Sequence, residues 1–175
     1  MTISISWVRR NKNAIELIIA SDSRLRSRGA LDQAQKIIRL QRGDCCLAFC
    51  GDAQVAYPVF VQVGSAIDNH VRTRSRATDV TDMTALIEAI LNNLVASWDL
   101  TDEEKRDELL TTRILFAGWS WKYQRFEIGF FLYRNREFAF HHRVAKLPHP
   151  WGENSRSLVF IGDYYRDYLD ALERV

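Results

Sequence analysis

Before any helix begins, the chain carries two pairs of strand-like runs, and that ordering restricts what it can fold into more than any other feature. Thr2 to Val8 alternates, with Ile3, Ile5 and Trp7 on one side. Arg10 to Asn13 is a polar turn, and Ile15 to Ala20 is an apolar run closed by Ser21-Asp22. Alternation with period two, interrupted by a polar turn, marks a hairpin. Lys36 to Leu40 and Cys45 to Cys50 form a second pair about Gln41-Arg42-Gly43-Asp44, a glycine-containing hairpin signal. Arg24 to Asp32, between the pairs, reads as polar loop.

Helical signals follow. Gly51 ends the fourth strand, Asp52 is placed to cap exposed N–H groups, and Val55, Val59, Val63 and Ile67 recur every four residues up to Asn69-His70. Pro58 in the second turn is expected to kink this helix. Arg72 to Asp79 reads as a charged linker, after which Thr81 or Asp82 caps a second helix. Leu86, Ile87, Ile90, Leu91, Leu94, Val95 and Trp98 make its inner face. Beyond the charged stretch 101–108, β-type runs return at Arg113 to Trp119, Arg125 to Tyr133, Glu137 to Val144 and residues 158–161, and Tyr165 to Val175 reads as the start of a helix. Strands, two helices, strands and a helix imply an α+β fold, a layered sandwich of helices and two antiparallel sheets.

Composition narrows the class. A chain of 175 residues with 47% apolar content suits a single domain over 1–175 with a real core. The opening MTISISWVRR is too polar for a signal peptide and no run approaches a membrane span, so a cytoplasmic protein without membrane contact is expected. Cys45, Cys46 and Cys50 share one apolar stretch without metal-ligand spacing and read as buried reduced thiols. His70, His141, His142 and His149 match no triad or zinc spacing. Net charge is only +2, yet residues 1–42 hold nine Lys/Arg against three Asp/Glu. Arg9, Arg10, Arg24, Arg26, Arg28, Arg39 and Arg42, with Trp7 nearby, raise nucleic-acid binding as a competing class. No recognised motif supports it, and the strands place these arginines on different faces.

Five stretches carry a resemblance. The segment IIASDSRL, the run QKIIRL with Lys36, the run LAFCGD with Gly51, and the later ILFAGWSWKYQRFEIGFFLY and LVFIGD follow one another in the order and spacing of the proteasome β-subunits and the HslV-type peptidase. The chain resembles that family of N-terminal nucleophile hydrolases over nearly its whole length. The resemblance implies a four-layer αββα sandwich. It also implies a domain shortened at its C-terminus, or a fragment, because the family continues through further helices and strands beyond Val175.

Carried over by residue, the resemblance implies Thr2 as nucleophile and base once Met1 is removed, and Lys36 as the cation that favours the neutral amine. It makes Asp22 the carboxylate that orients Lys36, and gives the Gly51 N–H to the oxyanion hole. It gives Phe49, Arg24, Leu25 and Arg26 to substrate binding. It sets Asp163 where the family has a serine that supports the amine, making Asp163 a partner for that amine. The activity implied is threonine peptidase action on peptides or unfolded protein, in a homo-oligomeric ring, with an ATP-dependent unfoldase as partner and no cofactor or metal. A catalytically inactive ring-forming scaffold with the same sandwich is the alternative.

Overall fold

The computed structural model describes residues 3–26, 30–137, 139–144 and 158–163, together with Asp167, Asp170 and Ala171. It shows a mixed α+β fold built from antiparallel sheets and helices. The first half runs β1 (Ile3–Asn11), β2 (Ala14–Ser21), β3 (Leu25–Arg26), β4 (Ala30–Leu31), β5 (Ile37–Arg39) and β6 (Cys45–Cys50). Helices α1 (Ala53–Asn69), α2 (Val71–Arg74), α3 (Val80–Ser97) and α4 (Asp102–Leu109) follow. The chain then forms β7 (Arg113–Ser120), β8 (Arg125–Arg134), β9 (Ala139–Val144) and β10 (Leu158–Gly162).

The strands form a five-stranded sheet in the order β5-β6-β7-β8-β9, a three-stranded sheet β10-β1-β2, and the small pair β3-β4. All pairings are antiparallel. The stretch CCLAFC is apolar throughout because β6 is covered on both faces. Leu47 and Phe49 enter a core shared with α1 and α3, while Ala48 and Cys50 enter a second core with Val159 and Ile161 of β10. Helices therefore lie on one side of the five-stranded sheet and the smaller sheet on the other.

In β1 the serines, not the isoleucines, face the five-stranded sheet. Ser4 and Ser6 are fully buried, whereas Ile3, Ile5 and Trp7 on the other face are half-buried. The Ser4 hydroxyl contacts the Ser21 hydroxyl at 2.7 Å and donates to the Phe49 carbonyl of β6 at 3.3 Å. A small hydroxyl at this level lets the two sheets approach and ties them together.

Helix α1 starts as expected, the Asp52 side chain accepting from the Gln54 N–H at 2.7 Å. It runs unbroken through Pro58, burying Val55, Val59, Val63 and Ile67. The α3 cap lies earlier than the sequence suggests: Asp79, not Thr81 or Asp82, takes the position. Its buried carboxylate accepts from the Thr81 N–H (2.9 Å) and hydroxyl (2.8 Å), the Ser120 hydroxyl (2.9 Å) and the Lys122 N–H (3.2 Å). One side chain thus starts a helix and fastens it to the β7–β8 turn. The linker before it holds the short α2, and the stretch 101–108 is helical, opened by a capping box between Thr101 and Glu104. Arg24 to Asp32 contains the β3-β4 pair instead of loop alone. Of the last expected helix only Asp167, Asp170 and Ala171 fall among the described residues, and they are helical.

Burial alone raises the Asp79 pKa, but the hydrogen bonds from Thr81, Lys122 and Ser120 outweigh it and hold the carboxyl below its ordinary 3.8. A depressed folded pKa gives stability that is full above the unfolded value and is lost as pH falls through the folded one. Asp79→Ala, which leaves buried donors unpaired, is expected to cost about 3 kcal/mol in urea unfolding at neutral pH. Asp79→Asn is expected to flatten the loss of stability below pH 3.8.

Candidate functional site

The start of β1 is held by one carboxylate. Asp22 follows β2 directly, and its Oδ1 accepts the Ile3 N–H at 2.8 Å while its own N–H donates to the Ile3 carbonyl at 3.1 Å. Its Oδ2 accepts from Lys36 Nζ at 2.8 Å and from the Arg24 N–H at 3.3 Å. The Lys36 side chain is 0% exposed and that of Asp22 29%. Burial pushes the Asp22 carboxyl up, but the Lys36 hydrogen bond and charge, with the Ile3 N–H, win and hold it below 3.8. An ammonium buried this deeply requires a partner, because desolvation of a lone charge costs several kcal/mol.

Two glycines shape the same end of the sheets. Gly51 leaves β6 with φ of +124°, and a Cβ there would stand 2.8 Å from the Thr112 Cα, so no other residue fits this turn into α1. Gly162, at φ of +132°, pairs with Ile3 at the end of β10, which brings Asp163 beside the start of β1. Cys50, next to Gly51, registers this charge cluster: burial raises its thiol pKa to about 12, with Arg113, Asp163 and Lys36 all acting on it. Asp22, Lys36, Gly51 and Asp163 are thereby brought to one end of the molecule from four separate elements.

The other expected site residues fall differently. Phe49 is 0% exposed, its ring 4.7 Å from that of Phe60 and 5.8 Å from that of Tyr57, on the helix side of the sheet. Leu25 packs against that same core. The Arg24 guanidinium pairs with Asp32. Thr2 lies outside the described residues, as does the Arg26 side chain; what is described is Ile3, to which Thr2 is bonded. Thr112 and Arg113 carry no local signal in the sequence, and Cys50 reads there only as a buried thiol, although its place next to Gly51 also sets it at this end of the sheets.

Elsewhere the proposed basic patch is partly spent on internal pairs. Arg9 meets Glu16 at 2.6 Å, and Arg42 is buried against Asp44 at 2.6 Å while donating to the Thr78 carbonyl at 2.9 Å. The cysteines are free thiols, and burial raises the pKa of Cys45 strongly and that of Cys46 to about 12. Among the described residues no His, Cys, Asp and Glu cluster could hold a metal ion, and no helix is long and apolar enough to cross a membrane.

No protein-family model matches the sequence, and no curated protein matches it.

The Asp22–Lys36 pair can be apportioned by a double-mutant cycle. Asp22→Ala, which deprives a buried ammonium of its carboxylate, is expected to lower unfolding free energy by about 3 kcal/mol. Lys36→Met is expected to cost less, and Asp22→Ala combined with Lys36→Met to be more stable than Asp22→Ala alone, a coupling read from urea unfolding.

Proposed function

We propose that the chain is an N-terminal nucleophile hydrolase with a four-layer αββα sandwich, acting as a threonine peptidase on peptides or unfolded protein. The observation that carries this reading is the Asp22 carboxylate, shared between the Ile3 N–H and Lys36 Nζ, each at 2.8 Å. It ties a buried cation to the strand start that carries Thr2. Removal of Met1 exposes the Thr2 amine, whose pKa near neutrality suits a base.

In the reaction, Thr2 Oγ1 attacks the scissile carbonyl carbon and the hydroxyl proton passes to the Thr2 amine. The Gly51 N–H donates to the resulting oxyanion, and the C–N bond breaks as the departing amine takes that proton. Water then hydrolyses the Thr2 ester, restoring the enzyme. Lys36 favours the neutral amine by like-charge repulsion, and Asp22 holds Lys36 in place. Asp163, which stands where the family has a serine, acts in the opposite sense and favours the charged amine. The sequence resemblance adds a homo-oligomeric ring and an ATP-dependent unfoldase partner. A second reading, a non-catalytic ring scaffold, is favoured by the closed packing of Phe49 under Phe60, where a peptidase would present that side chain to substrate.

Intact mass and peptide turnover separate the two. The peptidase reading expects protein without Met1, turnover of unstructured peptides, and loss of at least about a thousandfold in kcat for Thr2→Ala with unchanged oligomeric state. Quantitative retention of Met1, or turnover unaffected by Thr2→Ala, overturns it.

A further inference from the structure

The opposite end of the five-stranded sheet, on its helix-facing side, holds a cleft of about 260 Å³ between α3 and strands β7 to β9. It exists because of a glycine. Residues 125, 127, 129 and 131 of β8 share the helix-facing side, and Gly129, paired with Phe116, places no side chain there. The His142 ring fills part of that space: a Cβ on Gly129 would stand 2.3 Å from His142 Nε2. Phe116, Val80 and Val144 give the cleft apolar walls.

Its mouth carries two opposite charges. Arg125 Nε meets Glu127 Oε1 at 2.7 Å, and the guanidinium lies 5.3 Å from the centre of the Tyr123 ring. Glu127 is 17% exposed and Arg125 50%, so the carboxylate sits inside the cleft and the cation at its lip. Half-buried His142 has its pKa lowered by burial, against the opposing charges of Glu88 and Glu127, and adds a neutral imidazole to the wall.

We propose that this cleft binds a free α-amino acid with an apolar side chain, its carboxylate on Arg125, its ammonium on Glu127 and its side chain against Phe116 and Val144. The volume lies just below the roughly 300–1,000 Å³ of drug-sized ligand sites, which suits a ligand of this size. A zwitterion carries both charges about one carbon apart and replaces the Arg125–Glu127 contact with two charge-assisted ones. A simple carboxylate or amine satisfies one member of that pair and displaces the other. The site is at the far end of the sheet from Asp22 and Lys36 and stands independently of any role for Thr2.

Titration of the full chain with L-leucine, 4-methylpentanoate and 3-methylbutylamine, followed by NMR at Gly129 and His142, tests this. Saturable shifts with millimolar leucine, and binding at least about tenfold weaker for the other two, are the expected result. Glu127→Gln should make leucine and 4-methylpentanoate bind alike, and Arg125→Gln should do the same for leucine and 3-methylbutylamine. Gly129→Ala, checked for folding by urea unfolding, should abolish all three. The proposal is overturned if leucine gives no saturable shift at these residues in the parent protein, or if all three probes bind it equally.

Discussion

Burial of the five-stranded sheet on both faces sets the terms for everything built around it. Along β6 and β7, Leu47, Phe49, Ile114 and Phe116 point into the helical layer, while Ala48, Cys50, Leu115 and Ala117 point at the smaller sheet. Bulky rings and branched chains fill the wide gap beneath helices, and mostly smaller groups line the narrower gap between sheets. A one-residue slip in register would exchange the two sets and fit neither gap. The close approach on the small-residue side lets the Ser4 hydroxyl reach the Phe49 carbonyl, and so positions β1 against β6. The Asp22–Lys36 pair stands at the end of that contact and inherits its geometry.

Much of this was legible along the chain. The paired strands at the N-terminus, the start of α1 at Asp52 and the four-residue spacing of its valines follow from local periodicity and capping, which depend on neighbours in sequence. The errors arose where a distant partner decided. Asp79 caps α3 because its carboxylate also serves Ser120 and Lys122, residues the sequence offers no way to associate with it. Helix α4 shows no apolar stripe, its first seven residues being charged, and only the Thr101–Glu104 cap marks it locally. The β1 faces were legible as alternating, but which face lies inward depends on how closely two sheets approach.

The candidate site divides along the same line. Asp22 and Lys36 could be named because a motif order carried them, and they meet in space across 14 residues of sequence. Phe49 is legible as a strand residue, but whether its ring lines a groove or a core depends on Tyr57 and Phe60 of the next helix. The Arg125–Glu127 cleft had no local signature at all. It arises where a missing side chain at Gly129 coincides with His142 from a neighbouring strand, a match of shapes that no short window contains.

The pairing of β1 with β10 joins the beginning of the described chain to nearly its end, Ile3 lying opposite Gly162. During synthesis β1 is made before the other described elements, yet its second edge has no mate until β10, the last of the described strands, is made. The hairpin with β2 forms early from local contacts, whereas closing the small sheet requires the most sequence-distant strand pairing among the described residues. Until then the first strand keeps one row of unpaired N–H and C=O groups open to other chains. The Asp22–Lys36 contact can thus form from neighbouring segments, while the other edge of the strand it anchors stays open until β10 arrives.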